Sequence, residues 1–495
     1  MPDASTAADL VITGLDVLAA PGELREGVDI VIAGGRITGI EPAPSTARET
    51  AASTLDGAGL LATPGLVNAH THSAENPMRG LADGAALEPW LATLMASGGR
   101  YSPGDHYWCA LASAAEILLS GGTSVIDHLV MTPIAPEAFD GAMRAYRDAG
   151  IRGGVAPLVS DIDATLALAA DLGMDVGGLQ GLMPEQVPQL TTQEMLDRTA
   201  DAIGRWHGAE GGRLHLLGGA SGVQWASEEL IGGMAALARK ARTTMQLHCV
   251  ETRVQAAACR LRYGTSAVQA LAAMEALGPE VSLAHCVWID EDDLGRIADA
   301  GAVVVHNPAA NQRLRSGRAP IAALLAAGAK VGIGTDGAAS GDDQNMRIAT
   351  RLAALIHRAE GEPWVTSDDA LTMATSGGGH ALGVAGLGTL EPGAPADLAL
   401  LDRLGTGLAG TRELEASLVW SESGAGVCHV IVGGEIVVRD GRPTRFDLDE
   451  VQAQIGAQAA GRRAAPPAAH LTETVDRLNE LRRRLAEREG RPFAG

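Results

Sequence analysis

Eight short apolar runs recur between about Thr63 and Leu387, and longer segments with helical periodicity separate them. The runs are GLVNAHTH (65–72), TSVIDHL (123–129), IRGGVAPLV (151–159), LHLLGGA (214–220), TMQLHCVE (244–251), VSLAHCV (281–287), AVVVHNP (302–308) and VGIGTDG (331–337). Near-continuous apolar strands that alternate with helices are typical of a parallel sheet covered on both faces. Eight such units predict an α/β protein with a (β/α)₈ TIM barrel over residues 63–387.

The segments on either side of this region have a different pattern of short apolar stretches and glycine turns. They include DLVITGLDVLAAPG and VDIVIAGGRITGIEPA before it, and DLALLD and CHVIVGGEIVVRDGRP after it. Neither flank alone has enough strands to bury an apolar face. We therefore expect one small β-sandwich domain built from residues 1–62 and 388–445.

A C-terminal helical extension is predicted over residues 446–495. Its second half carries one apolar stripe at helical spacing, made of Leu471, Val475, Leu478, Leu481 and Leu485. Such a stripe either packs against its own subunit or forms a contact between copies of the chain. We expect a homo-oligomer, a dimer or higher.

The composition narrows the range of partners. The 495 residues carry 38 Lys plus Arg against 60 Asp plus Glu, a formal charge of -22, so nucleic acid and anionic membranes are repelled on average. The 5 cysteines form no CxxC pair, and we find neither a secretory signal nor an apolar stretch long enough to span a membrane. These features predict a cytoplasmic protein whose partner is a small molecule.

Metal-competent side chains occur at the ends of four predicted strands. His70 and His72 are two residues apart, so in an extended strand they project to one face, which at this end of a barrel is the active-site mouth. His248, His285 and Asp336 fall at the ends of strands five, six and eight. Any one of these residues alone is more often a hydrogen-bonded structural group. The chain has only 13 histidines, and their coincidence at successive strand ends predicts a metal site.

The stretches PGLVNAHTH, HCVET, AHCVWID, HNPAANQRLRSGRAP and GTDGAAS resemble the motif series of the amidohydrolase superfamily. The most similar branch contains S-adenosylhomocysteine/methylthioadenosine deaminases, guanine and 8-oxoguanine deaminases and triazine hydrolases. The resemblance implies that one divalent metal, Zn²⁺ or Fe²⁺, is bound by His70, His72, His248 and Asp336. It also implies that Glu251 and His285 are proton-transfer groups.

The chemistry explains why these residue types are needed. A metal lowers the pKa of bound water from about 15.7 to about 7, which produces a hydroxide that attacks an amine-bearing ring carbon at neutral pH. Asp336 can take the proton of that water and pass it to the leaving amine, while His285 polarises the hydroxide. Glu251 is placed to protonate a ring nitrogen, and help of this kind is typically worth about 10² to 10⁴ in rate.

A single metal is expected rather than two. Many amidohydrolases bridge two metals with a carboxylated lysine at the end of strand four. The only lysines of this chain are Lys240, in a predicted helix before strand five, and Lys330, at the opposite end of strand eight. Neither lysine is expected at the mouth.

Five further residues are candidate substrate contacts. Glu75 and Trp90 lie in the long loop after strand one, which forms a wall in the family, although Trp90 could equally fill the core. His128 ends strand two and His306 ends strand seven, and each could instead make a structural hydrogen bond. Ser221 lies in GGASGVQWAS, where nucleoside deaminases usually present a His in a GPHSPY-like stretch.

The predicted substrate is a free ring. Family nucleoside deaminases use a Glu for the ribose hydroxyls, and the matching stretch here is LMASGGR, with Gly98 and Gly99. We therefore predict a hydrolytic deaminase of a free amino-substituted N-heteroaromatic ring of guanine/8-oxoguanine, pterin, pyrimidine or triazine type. The alternatives are a hydrolase that displaces an alkylamine or halide from a triazine-like ring, an S-adenosylhomocysteine/methylthioadenosine-type deaminase, and a non-catalytic scaffold on the same barrel.

Overall fold

The structure of the chain is a computed structural model that describes residues 8–98, 101–130, 135–175, 190–464 and 470–493. The strands are β1 (Leu10–Leu18), β2 (Leu24–Ala33), β3 (Arg36–Pro42), β4 (Ser53–Asp56), β5 (Leu60–Pro64), β6 (Leu66–Thr71), β7 (Gly122–Val130), β8 (Arg152–Leu158), β9 (Leu214–Leu216), β10 (Gly218–Gly222), β11 (Met245–Cys249), β12 (Val281–His285), β13 (Val303–His306), β14 (Lys330–Ile333), β15 (Leu398–Asp402), β16 (Val427–Val432), β17 (Glu435–Arg439) and β18 (Arg442–Pro443).

Helices occupy most of the intervals between the central strands. They are α1 (Leu87–Gly98), α2 (Pro103–Leu119), α3 (Pro136–Ala149), α4 (Ala164–Asp171), α5 (Thr192–Trp206), α6 (Ala209–Gly212), α7 (Glu228–Ala241), α8 (Arg253–Tyr263), α9 (Ala267–Ala273), α10 (Glu291–Ala300), α11 (Pro308–Arg313), α12 (Ile321–Ala326), α13 (Met346–Leu355), α14 (Ser367–Thr372), α15 (Gly378–Leu382), α16 (Leu414–Trp420), α17 (Leu448–Ala464) and α18 (Leu471–Arg488). Several of them begin with clear start signals in the sequence. In α2, for example, Ser102 and Asp105 form a reciprocal capping box and Pro103 opens the helix.

The central strands are parallel and almost completely buried, because helices cover them. They form two sheets, one with the order β6-β7-β8-β9 and the other with the order β10-β11-β12-β13-β14. Each predicted run matches a strand, except that the fourth is split at Leu217 into β9 and β10.

The strand count predicted a closed barrel, but the described strands do not form one continuous hydrogen-bonded sheet. At Leu217 the chain passes from one sheet to the other, and the backbone N–H of Leu217 donates to the carbonyl of Val155 in β8 (2.8 Å). At the other junction, the N–H of Asp336 donates to the carbonyl of His70 (3.0 Å). The two sheets therefore lie edge to edge, and these isolated bonds connect them.

Both ends of the chain contribute to one further sheet. Its order is β18-β17-β16-β15-β5-β1-β2-β3, with β4 beside β1. The pairing of β15 with β5 joins the two flanks and is antiparallel, whereas β4 and β5 pair with β1 in parallel. Among the described residues these flanks make a single sheet, so a sandwich is not confirmed, and the predicted domain limits stay predictions.

The last helix packs on its own subunit. Leu478, Leu481 and Leu485 are buried against Ala92 of α1, Leu168 of α4 and Val254 of α8. This agrees with the own-subunit alternative for the apolar stripe. The expected homo-oligomer stays a prediction. In the described part of the chain no helix has the length and apolar character needed to cross a bilayer, and a cytoplasmic location likewise stays a prediction.

Candidate active site

The predicted metal ligands converge where the central strands end. His70 lies on β6 and His72 directly follows that strand, His248 lies on β11, and Asp336 follows β14 by three residues. The Nε2 atom of His72 lies 3.2 Å from Nε2 of His248 and 3.3 Å from Oδ1 of Asp336. The Nε2 atom of His70 lies 3.6 Å from the same oxygen. All four side chains are buried.

The backbone at these strand ends is strained. Positive φ angles occur at Val250 (37°), His285 (75°), Cys286 (48°) and Asp336 (60°). Residues other than glycine rarely adopt this backbone conformation, which costs of order 1–3 kcal/mol per residue. Such strain persists where the surrounding structure enforces it, and it tends to cluster at functional sites.

Hydrogen bonds fix which nitrogen of each ligand ring carries the proton. Nδ1 of His72 donates to the carbonyl of His128 (2.6 Å), and Nδ1 of His248 donates to the carbonyl of Ser221. Nδ1 of His70 faces Oε1 of Gln246 (2.8 Å). The Gln246 amide is oriented because its Nε2 donates to the carbonyl of Ala69 (2.8 Å). Three Nε2 lone pairs therefore point toward one another and toward a carboxylate.

The rings of His72 and His248 are held in the neutral form. Burial is the largest cause of a lowered pKa at His72, to about 4, and at His248, well below the ordinary value. Neutral imidazole is the form that binds metal. Lone pairs and a carboxylate that meet in a buried space repel one another unless a cation lies between them.

The residues fit a divalent metal. Nε2 of His70 is buried and has no hydrogen-bond partner in the described part of the chain, which is the state expected of a ligand atom. Three imidazoles and one carboxylate suit Zn²⁺ or Fe²⁺. Lys240 is exposed on α7 and Lys330 is exposed at the start of β14, so neither lies where a bridging ligand is needed.

His128, predicted as a substrate contact, lies beside the proposed metal ligands. It is buried on β7, and it forms with His70 and His248 a group whose nitrogens lie within 4.8 Å of one another. Neither of its ring nitrogens has a hydrogen-bond partner among the described residues. The structure thus brings His128 into the imidazole cluster.

Two carboxyl groups at the centre have opposite titration behaviour. Burial alone raises the pKa of Asp336, but the neighbouring rings of His70, His72 and His285 hold it well below the ordinary value. Burial, followed by the charge of Asp336, raises the pKa of Glu251 to about 8. Paired groups whose pKa values are pushed apart are typical of a base and an acid acting together.

His285 lies between these two carboxyl groups. Its Nε2 is 3.7 Å from Oε2 of Glu251 and 4.0 Å from Oδ2 of Asp336. Its Nδ1 is 2.8 Å from Oδ1 of Asn311 on α11, which fixes the ring. The three predicted proton-transfer residues therefore form one contiguous group.

The predicted substrate contacts have different surroundings. Ser221 is buried on β10, and its Oγ has no partner in the described structure. His306 is buried on β13, with Nε2 3.3 Å from Nε2 of His357. Trp90 is 2% exposed and packs with Leu87 and Leu314 in an apolar cluster. This packing favours the core-filling alternative for Trp90.

Glu75 is held by the turn after Asp336. Its Oε2 accepts hydrogen bonds from the backbone N–H groups of Ala339 and Ser340, each at 3.1 Å. A Cβ at position 337 would lie 1.9 Å from that oxygen, which explains the glycine at this position. Glu75 therefore braces the loop that carries Asp336. Gly99, used in the ribose argument, lies outside the described residues.

Sequence reasoning missed three residues that orient the site. Gln246 and Asn311 hold His70 and His285, and Oγ of Ser316 donates to Oε1 of Glu251 (2.6 Å). A usable signal existed for Gln246, since it precedes His248 by two residues and so shares its strand face. Asn311 and Ser316 stood in a quoted motif, but nothing local assigns their partners.

The sequence pattern of the amidohydrolase family matches residues 61–437. The chain belongs to the amidohydrolase family. It is an enzyme of the hydrolytic deaminase type, and the family site and the His/Asp cluster support a divalent metal. Solved amidohydrolase structures of the TIM-barrel type are similar to this chain.

Two curated relatives have adenosine-type names. The 5-methylthioadenosine/S-adenosylhomocysteine deaminase of Pelotomaculum thermopropionicum is 31% identical over 460 residues, which cover 91% of this chain and 98% of that protein. The 5′-deoxyadenosine deaminase of Methanothermobacter thermautotrophicus is 31% identical over 436 residues, covering 87% and 93%.

A solved structure is also similar over most of the chain. The atrazine chlorohydrolase of Arthrobacter aurescens TC1, complexed with zinc, superposes with a TM-score of 0.81 at 28% identity, covering 91% of this chain and 100% of that one. The comparisons thus include relatives that act on nucleosides and on a triazine.

Proposed function

We propose that this amidohydrolase is a hydrolytic deaminase of an amino-substituted N-heteroaromatic ring and releases ammonia. One observation carries the proposal. Three imidazole lone pairs and the carboxylate of Asp336 converge beside Glu251, a buried carboxyl group whose raised pKa of about 8 keeps it protonated at neutral pH. This is the arrangement that a hydrolytic attack at a ring carbon requires.

One divalent cation, with Zn²⁺ preferred over Fe²⁺, would be held by His70, His72, His248 and Asp336. When bound it would lower the pKa of water enough to make it a nucleophile near pH 7. The absence of a lysine at the mouth supports one metal per chain.

The remaining steps belong to the protein's own groups. Asp336 accepts one proton of the attacking water, a C–O bond forms at the amine-bearing carbon, and the proton passes to the amine as the C–N bond breaks. Glu251 gives a proton to the ring nitrogen from Oε2, because its Oε1 already accepts a hydrogen bond from Ser316. The second water proton restores Glu251 when the C=O bond forms, and His285 lies between the two carboxyl groups.

A free ring of guanine/8-oxoguanine, pterin, pyrimidine or triazine type is the preferred substrate. Ser221 supports this, since it occupies the position of the usual histidine of nucleoside deaminases. An adenosine-type nucleoside is the second candidate, and the adenosine-type names of the curated relatives favour it. Displacement of an alkylamine or halide from a triazine is the third, favoured by the chlorohydrolase likeness.

A substrate panel with three product assays tests the proposal. Zinc-loaded protein is incubated with amino-purines, pterins, pyrimidines, triazines and adenosine-type nucleosides, and ammonia, alkylamine and chloride are quantified. We expect ammonia from at least one free ring at a higher kcat/KM than from any nucleoside. If only nucleosides are turned over, the free-ring substrate is wrong and the second candidate is supported. If chloride or alkylamine is released without ammonia, the third candidate is supported. A metal content near two per chain would contradict the single-metal assignment.

A further inference from the structure

A cavity of about 490 Å³ lies next to the segment that carries Glu251. Thr252, the next residue along the chain, lines it, and so does Ser316, whose Oγ donates to Oε1 of Glu251 (2.6 Å). The cavity therefore reaches to within one side chain of the proposed proton donor. Its volume falls in the range of small-molecule sites.

Part of the cavity wall is apolar and flat. Trp288, Leu314, Leu485 and Phe493 line it. The guanidinium of Arg253 lies over the Trp288 ring, 3.6 Å from its centroid, which holds both side chains in place. Such a wall suits an aromatic or aliphatic group that extends from the reacting ring.

The charged part of the wall has an excess of positive charge. Four arginines line the cavity against two glutamates: Arg253, Arg315, Arg482 and Arg491 against Glu88 and Glu489. This balance stands out in a chain whose formal charge is -22. A local potential of this sign attracts an anion that the rest of the surface repels.

The glutamates do not neutralise the arginines. Arg253 and Arg491 share Glu489, at 3.4 and 3.7 Å. Burial and the charge of Arg491 both lower the pKa of Arg253. The guanidinium of Arg315 makes no hydrogen bond or ion pair with any residue that the structure describes.

Arg482 has one acidic neighbour. It lies 3.5 Å from Glu88, and burial raises the pKa of Glu88. Burial lowers the pKa of Arg482, and the charge of Arg315 lowers it further. Of the two neighbouring cations Arg315 and Arg482, only Arg482 has an acidic partner, Glu88, in the described part of the chain.

Part of this wall comes from outside the region that the family pattern covers. Arg482, Arg491 and Phe493 lie on α18 and the segment after it, beyond residue 437 where the family match ends. Packing of α18 on α1 and α8 brings these side chains over the cavity. The C-terminal extension of this chain thus supplies two of the four arginines of the positive wall, Arg482 and Arg491.

We infer that this cavity accepts an anionic substituent, a carboxylate or a phosphate, carried by the ring that the enzyme deaminates. Guanidinium groups match both anions, since each can receive two parallel hydrogen bonds. The inference rests on the proposed function for the reacting ring, and it makes Arg315 and Arg482 specificity-determining residues. The substrate class is then an acidic aminated heterocycle.

A kinetic test compares matched substrates that differ only in charge. Pterin is paired with pterin-6-carboxylate for the carboxylate source, and adenosine with adenosine 5′-monophosphate for the phosphate source. We expect kcat/KM to favour the charged member of one pair by at least about tenfold, since a charge-assisted contact contributes a factor of this order. Arg315→Gln should remove that preference by raising KM for the charged member. Arg412→Gln, at an exposed arginine that does not line the cavity, is the control.

A binding test needs no turnover. Calorimetry on the zinc-loaded enzyme compares benzoate with its neutral analogue benzamide, and phenyl phosphate with phenol. We expect the anions to bind at least about tenfold more tightly to the parent protein and to Arg412→Gln, but not to Arg315→Gln. No binding of either anion, or equal anion binding to the parent and to Arg315→Gln, overturns the inference.

The two tests separate the possible failures. Ammonia release without any charge preference would leave the proposed function in place and overturn the anion site. Anion binding that depends on Arg315, without ammonia from any ring, would overturn the proposed function and retain the anion site.

Discussion

The imidazole cluster and the arginine-lined cavity next to Glu251 are built in different ways. In the cluster, His70 and His248 project from buried parallel strands, His72 follows the strand of His70, and hydrogen bonds orient the three rings. In the cavity, arginines from α8, from the loop after α11 and from the C-terminal extension line the wall. The first region lies within the family match and the second lies partly beyond it.

This difference suggests a division between chemistry and selectivity. Groups that act on the reacting atoms need fixed positions, which parallel strands with all their backbone hydrogen bonds can provide. Groups that recognise a substituent can come from loops and terminal segments, which change without loss of the fold. Substitutions in the strand-borne region should therefore affect metal and turnover, whereas those in the cavity should affect substrate preference.

The largest effect is expected from Asp336→Asn. This change removes both a metal ligand and the proposed proton acceptor, so turnover should fall by at least about 10⁴-fold. Metal content, measured by mass spectrometry, should fall below one per chain. Asp368→Asn, at an exposed position in the first turn of α14, is the matched control. Full metal occupancy with normal turnover would remove Asp336 from the centre.

Glu251→Gln should separate acid catalysis from metal binding. The amide cannot supply the proton, so kcat should fall by about 10² to 10⁴. Metal content should stay the same, because Glu251 is not a proposed ligand. Glu229→Gln, in the exposed first turn of α7, serves as the control. Unchanged kcat would show that the ring nitrogen is protonated by another group.

Gln246→Leu tests how far the orientation of His70 matters. Without the amide, Nδ1 of His70 loses its partner, and metal affinity should weaken by about 10- to 100-fold. Competition with a chelator measures this affinity, and melting of the metal-free protein shows whether stability also changes. Gln452→Leu, on an exposed part of α17, is the control. Equal metal affinity with a lower melting temperature would assign Gln246 a purely structural role.

The smallest effect is expected where the two regions meet. Glu251 acts in its protonated form. We therefore expect kcat/KM to stay constant below pH 8 and to decline as the pH rises through the Glu251 pKa of about 8. The Ser316 hydrogen bond lowers that pKa. Ser316→Ala should therefore move the basic limb of the pH profile upward by less than about one unit. Ser421→Ala, at an exposed position after α16, should leave it in place, and a downward movement would contradict the assigned contact.

Local patterns determined much of the fold and of the site. The eight apolar runs of the central region correspond to β6–β14, because hydrophobic periodicity reports which stretches are buried. The spacing of His70 and His72 predicted a shared face, since side chains alternate along a strand. The motif series predicted the family, and the comparisons confirmed it.

Contacts between distant parts of the chain were decided only by the tertiary structure. Gln246 orients His70 across 176 positions, and Glu75 braces Ser340 across 265. The burial of Trp90 and the approach of Arg482 to Glu88 also depend on how helices pack after the strands have paired. Periodicity is a property of neighbours in the sequence, so it indicates which residues face inward. Which inward-facing residues meet depends on packing between segments, and the sequence pattern carries no local record of it.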